Sequence, residues 1–233
     1  MVDSRSVNRQ ADSSPDDLDR ELCLRAARGD PQAETELVSR YGQLVRACAR
    51  PLFLAGGDSE DLIQEGMLGL LTAIRGFDPQ RDTLFRTYAE ICIRSRLYTA
   101  IRAAQAAGLT VCSGGIVGMG ETPEDRIDMA LTLRELGISS VPLNLLQGIP
   151  GTPLAQQERL SQEELRRIVA VYRLVLPGAV IRLAGGRGLL LDRGRGCFQS
   201  GANGVISGDM LTTAGITVET DRNLLEELGY EVK

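Results

Sequence analysis

Through the first hundred positions apolar side chains recur every three or four residues; beyond them the spacing shortens. Leu18, Leu22 and Ala26 keep one face of a first helix, which Gly29-Asp30-Pro31 ends. Asp30 can cap a second helix with Pro31 in its first turn, and Ala33, Leu37, Tyr41, Leu44, Val45 and Cys48 form its apolar stripe. Gly56-Gly57 breaks the chain, and Asp58 is placed to cap a third helix. Its buried face is Leu62, Ile63, Met67, Leu70, Leu71 and Ile74. Phe77-Asp78-Pro79 closes that helix, and Thr83 to about Ala104 reads as a fourth. Residues 1–17 are polar and predict a disordered N-terminus, so the pattern predicts an all-helical domain over 18–104.

From Gly108 onward short apolar runs alternate with helices across glycine-rich loops. Leu109-Thr110-Val111-Cys112 reads as a strand running into the loop Ser113-Gly114-Gly115. Thr122 can cap a helix with Pro123 in its first turn, reaching Leu136-Gly137. Ser140–Leu145 reads as a strand, Ser161 with Glu164 starts a helix to Leu176, and Val180–Leu183 and Gly204–Ser207 read as further strands. Asn223–Leu228 makes a short last helix. Alternation of this kind predicts parallel βα units over 105–233.

Composition narrows the chemistry. The 233 residues contain no histidine and no tryptophan, so acid–base work would fall to a tuned carboxylate, cysteine or tyrosine. The net charge of −5 conceals a gradient. Arg81, Arg86, Arg94, Arg96 and Arg102 outweigh Asp82 and Glu90 after an acidic start, which fits either a nucleic-acid face or a solvated helix flank. Cys23, Cys48, Cys92, Cys112 and Cys197 are odd in number and widely spaced, against a disulfide framework, and no CxxC or CxxxCxxC occurs. Neither a signal peptide nor a membrane-length apolar run is present, and the expected location is the cytoplasm.

Two resemblances follow. Gly29-Asp30, Asp61-Leu62-Ile63-Gln64-Glu65-Gly66, Gly69-Leu70, Ala73-Ile74, Phe77-Asp78-Pro79, Phe85-Arg86-Thr87-Tyr88-Ala89 and Ile91-Cys92-Ile93-Arg94 resemble region 2 of bacterial sigma-70-family factors, closest to the sporulation sigma-H class. That resemblance implies transcription initiation, with RNA polymerase core and promoter DNA as partners. Asp61, Gln64, Glu65 and Leu68 would dock on the polymerase clamp, where carboxylates suit an arginine-rich partner. Phe85 and Tyr88 would stack on unpaired bases. Arg94, Arg96, Thr99 and Arg102 would contact phosphates and base edges of the −10 element. No helix-turn-helix for a −35 element follows.

The second half is similar to the C-terminal half of biotin synthase, a radical S-adenosylmethionine enzyme. The matching strings are Cys112 through Arg126, Ser140-Val141-Pro142-Leu143-Asn144, Pro150-Gly151-Thr152-Pro153-Leu154, Ile181 through Arg187, Ser200-Gly201-Ala202-Asn203 and Gly208 through Thr213. The resemblance implies that Cys112 and Arg182 are ligands of a two-iron cluster, that Asn144 contacts dethiobiotin, and that the Gly118–Glu121 loop lies near the adenosyl cofactor. The CxxxCxxC of that family does not occur, so iron–sulfur cluster and S-adenosylmethionine sites are expected to be incomplete and no bound cofactor is expected.

The string Ala100-Ile101-Arg102-Ala103-Ala104 fits both patterns, with no glycine–serine linker between them. The chain therefore reads as a chimera of α plus α/β class: a helical sigma region 2 module followed by half of a (β/α) TIM-type barrel. The first expectation is a non-enzymatic sigma-like module, with self-association possible through the open barrel edge. The alternative is a biotin synthase, a sulfurtransferase inserting sulfur into dethiobiotin, inactive as a monomer.

Overall fold

The computed structural model describes residues 14–50, 52, 59–209 and 215–232. The chain divides into two compact units, one drawn from residues up to Arg50 with Glu60–Ala100, the other from Ile101 onward. The overall class is helical followed by α/β.

In the first unit α1 (Pro15–Ala27) begins three residues before Leu18, inside the stretch read as disordered. The cause is a capping box: the Ser14 hydroxyl accepts from Asp17 N at 3.2 Å while Asp17 accepts from Ser14 N at 3.3 Å. Asp30 caps α2 (Pro31–Ala49) by accepting from Gln32 N at 2.9 Å and Ala33 N at 3.4 Å. Asp58, read as the cap of the third helix, lies outside the described residues. Buried Asp19 ties α1 to α2 by accepting from Arg40 Nε at 3.0 Å and from the Tyr41 hydroxyl.

The third and fourth helices are α3 (Ser59–Gly76) and α4 (Phe85–Ala106). The fourth starts two residues later than the pattern predicted, and an i→i−4 bond already runs from Tyr88 N to the Leu84 carbonyl. Glycine sets how closely these helices approach. A Cβ at Gly69 would lie 2.8 Å from Ile93 Cα and 2.9 Å from the Cys92 carbonyl oxygen, and one at Gly66 would lie 2.7 Å from Val45 Cγ1. Leu37, Val45, Leu62, Leu70, Ile74, Ile93 and Leu97 fill the space between helices and are fully buried.

The second unit is a four-stranded parallel sheet in chain order: β1 (Gly115–Val117), β2 (Ser140–Leu145), β3 (Val180–Leu183) and β4 (Gly204–Val205). The strand expected at 109–112 is displaced. Only an isolated bridge joins Cys112 to Ser140, and the glycines read as a loop lead into β1 itself. Gly114 explains the shift: a Cβ there would sit 1.9 Å from the Pro142 carbonyl oxygen, so only glycine lets this segment press against β2. Between strands run α5 (Pro123–Glu135), α6 (Gln162–Val175) and a short α7 (Arg195–Gln199), with α8 (Val218–Glu227) last. A 3₁₀ turn at Arg187–Leu189 and α7 were not predicted; too short for a periodic signal, they follow from left-handed Gly186 and Gly194. The last helix starts five residues before Asn223, because Thr217 caps it through Thr220 N at 3.2 Å. Val141, Leu143, Leu145, Ile181, Leu183 and Val117 form one buried side of the sheet, the side on which α6 packs against β3 and α5. No described helix is long and apolar enough to cross a membrane.

The glycine contact gives a stability prediction. Gly69→Ala, although alanine favours helix by about 1 kcal/mol, forces two backbones apart and should destabilise the helical unit by a net ~1–3 kcal/mol. Gly42→Ala on α2, where a Cβ meets nothing within 4 Å, should be neutral or stabilising. Denaturant midpoints of the two variants measure the difference; equal midpoints would refute the close approach.

Candidate functional site

On α3, Asp61, Gln64 and Leu68 are exposed and Glu65 is half-exposed. Their spacing of three, four and seven places them in one row along a single helix face. Leu68 keeps 47% of its surface open although its neighbours Gly69 and Leu70 are buried. An apolar side chain within a polar row is what a docking helix offers. Beside it a groove of about 480 Å³ is lined by Leu68, Leu71, Thr72, Arg75, Gly76 and Arg96.

The aromatic assignments divide. Phe85 is 3% exposed and stands edge-on to Tyr41 at 4.9 Å and to Phe77 at 5.3 Å. It is a core residue, and the expected stacking of Phe85 on bases is corrected: a ring this buried has no face open to a base. Tyr88, half-buried and 5.8 Å from Phe77, keeps part of its ring open.

Arg94, Arg96, Thr99 and Arg102 are all exposed on α4, but they spread around its outer half instead of forming a row. At roughly 100° per residue, Arg94 and Arg96 lie about 160° apart. Arg94 pairs along its own helix with Glu90 at 2.8 Å. Arg96 pairs with Glu65 of α3 at 2.6 Å, so a residue expected to touch polymerase and one expected to touch DNA hold each other. The Thr99 hydroxyl donates to the Ser95 carbonyl at 2.9 Å.

In the second unit strand register places the remaining residues. Cys112 is paired with Ser140, Pro142 with Arg182, and Ile116 with Asn144. Because alternate residues of a strand share a side, Cys112, Asn144 and Arg182 all lie on the face opposite the helices. Buried Ser140, which the sequence pattern did not single out, donates its hydroxyl to Cys112 Sγ at 3.1 Å. Asn144 spans its neighbours, accepting from Gly185 N at 2.9 Å and donating to the Gly115 carbonyl at 3.4 Å. Arg182 makes no ion pair or side-chain hydrogen bond among the described residues.

The loop after β1 is held by its own carboxylate. Glu121 accepts from Gly118 N at 2.7 Å and Met119 N at 2.6 Å, and Arg126 reaches Glu121 at 2.8 Å and Glu164 of α6 at 2.9 Å. Gly118 and Gly120 hold φ near +92° and +101°, which glycine adopts without strain. Burial alone would raise Glu121; the backbone N–H groups and Arg126 outweigh it and hold the carboxyl below its usual 4.5. A cleft of about 460 Å³ opens there, lined by Gly118, Gly120, Glu121, Arg126, Arg159 and Glu164 among others. Glu164 was read only as a helix-start residue and Arg126 only as the end of a matching string; packing of α6 against α5 makes them neighbours.

The iron–sulfur chemistry that the resemblance implies needs several converging ligands. Among the described residues no group of three or more His, Cys, Asp or Glu converges to hold a metal ion. Cys112 and Arg182 share a face but do not complete a cluster that takes about four ligands. Cys197 adds nothing: burial and then Asp192 push its thiol up to about 11.

Comparison with known proteins follows the same division. Residues 37–107 match the family model for sigma-70 region 2, and residues 142–231 that for the biotin and thiamin synthesis associated domain. A biotin synthase of Brachyspira hyodysenteriae is 63% identical over 134 residues, 58% of this chain and 40% of that protein. A biotin synthase 2 of Corynebacterium diphtheriae is 56% identical over 148 residues, 62% of this chain and 45% of that protein. A biotin synthase of Clostridium perfringens is 37% identical over 240 aligned positions, spanning 100% of this chain and 74% of that protein. The chain thus spans less than half the length of the first two.

The lowered Glu121 sets a pH prediction. Its stabilising effect is complete above pH 4.5 and is lost as pH falls through the depressed folded value. Glu121→Gln should therefore cost stability at pH 7, and the difference from the parent should shrink at an acid pH below the depressed folded value. Denaturant unfolding at both pH values measures this; a difference that stays constant would show that the carboxylate does not carry the loop.

Proposed function

The chain belongs to the biotin synthase family and carries a sigma-70 region 2 match over residues 37–107, and from that premise we propose that its helical unit is a sigma-factor-like module that docks on RNA polymerase core and contacts promoter −10 DNA. The observation that supports this reading is the α3 row, where Leu68 stands open at the end of a line of carboxylate and amide side chains. Exposed Arg94, Thr99 and Arg102 then form the DNA side, with Tyr88 the aromatic for a single unpaired base. Arg96 belongs equally to both surfaces through Glu65.

A second reading is favoured by Cys112, Asn144 and Arg182 lying on one sheet face. There the α/β unit is half of a (β/α) barrel of biotin synthase type, whose sulfur-inserting activity depends on residues beyond the two candidate ligands.

Leu68→Glu places a charge in the docking row without touching the core, and should weaken binding to polymerase core at least tenfold, about 1.4 kcal/mol. Fluorescence anisotropy of labelled chain against core enzyme reads this, and unchanged affinity would remove the docking face. Arg94→Ala with Arg102→Ala should weaken binding of single-stranded −10 DNA and flatten its logarithmic salt slope by about one to two units. A parent-like slope would remove the DNA face.

A further inference from the structure

Arg96 is placed by two contacts with α3. Its Cβ lies where Gly69 leaves room: a Cβ added at Gly69 would stand 3.1 Å from it. From there the guanidinium reaches Glu65 Oε2 at 2.6 Å, one turn back along α3. The same side chain lines the groove of about 480 Å³ beside Leu68, Leu71 and Thr72. Arg94 differs, because its partner Glu90 sits on its own helix and outside the α3 row. The Arg96 pair therefore joins a residue of the proposed DNA side to a residue of the proposed polymerase side.

We propose that Arg96 is an intramolecular stand-in for an arginine of RNA polymerase core: it occupies Glu65 in the free chain, and an arginine-bearing helix docking on the α3 row displaces it and frees its guanidinium for a DNA phosphate. The two occupants are chemically alike, so each excludes the other from the carboxylate oxygen that Arg96 now holds. Displacement leaves the core undisturbed. Arg96 keeps 47% of its side chain exposed, and its long stem can swing outward from a fixed Cβ. Thr99 lies three residues further along α4, on neighbouring helix surface, so the released charge adds to the proposed DNA side.

Magnitude limits what the contact can do. An exposed ion pair shifts an equilibrium by about fivefold or less, so the pair tunes two affinities and does not switch either off. Coupling of this kind is reciprocal. Holding Glu65 weakens docking, and holding Arg96 weakens DNA binding. The expected signs are thus opposite to those of simple contact residues. Loss of the Arg96 guanidinium strengthens polymerase binding, and loss of the Glu65 charge strengthens DNA binding, but only while Arg96 is present. This inference deepens the sigma-like reading of the helical unit and rests on it.

The test is a double-mutant cycle on the full chain with Glu65→Gln, Arg96→Met and the two together. Methionine keeps an unbranched stem in the groove wall and removes only the guanidinium. Fluorescence anisotropy at low salt reads binding of a single-stranded −10 oligonucleotide. Glu65→Gln should tighten it about two- to fivefold, and in the Arg96→Met background the same substitution should change it by less than about 1.5-fold. A gain that persists without Arg96 means that only a repelling charge was removed, and overturns the proposal, as does no gain in either background. Titration with polymerase core in the absence of DNA is the second arm. Arg96→Met should bind core about two- to fivefold more tightly than the parent; equal or weaker binding overturns the proposal. Failure of the sigma-like reading looks different: the parent then binds neither core nor oligonucleotide, and the inference falls with it. Failure of the inference alone leaves parent binding intact and the cycle uncoupled.

Discussion

The close approach of Gly114 to the Pro142 carbonyl governs the second unit. It allows the Cys112–Ser113 segment to lie against the start of β2, with Ser113 N donating to the Ser140 carbonyl at 2.9 Å. The register Cys112 to Ser140 follows, and with it the side on which each later side chain falls. A slip of one residue would turn Cys112 towards the helices and separate it from Asn144 and Arg182. A single backbone contact thus decides whether three candidate functional residues can act on one ligand.

A parallel constraint operates in the first unit, where Gly66 and Gly69 let α3 lie close to α2 and α4. Close packing brings Glu65 within 2.6 Å of Arg96 and leaves Leu68 on the outer surface. Exposed ion pairs contribute little to stability, so the importance of this pair is positional: it joins the exposed row of α3 to the arginine-bearing helix. A partner arginine that takes Glu65 would compete with Arg96 for the same carboxylate, and the two surfaces are coupled in that sense.

Each unit leaves a chemically specific surface exposed, around Leu68 in the helical unit and around Ile116 in the α/β unit. In the helical unit that surface is a polar row with one apolar anchor, suited to reversible docking. In the α/β unit it is Ile116, on the sheet face that also carries half-buried Cys112, Asn144 and Arg182. The family matches divide along similar lines, sigma-70 region 2 over 37–107 and the biotin and thiamin synthesis associated domain over 142–231.

Much of this was legible in the order of residues alone. Helical periodicity, the caps Asp30, Thr122 and Ser161, and the alternation of short apolar runs with helices depend on local rules that act within four residues, and the corresponding elements form. The exposed row at Asp61, Gln64, Glu65 and Leu68 is likewise a property of one helix. Tertiary packing alone decided the rest. Phe85 could face solvent or core by pattern, and Tyr41 with Phe77 settles it by closing around the ring. Gly114-Gly115 could be loop or strand, and the Pro142 carbonyl selects strand. Ser140 meets Cys112, and Arg126 meets Glu164, across 28 and 38 residues of chain. No local rule spans such distances, because these pairs exist only once strands have chosen their neighbours.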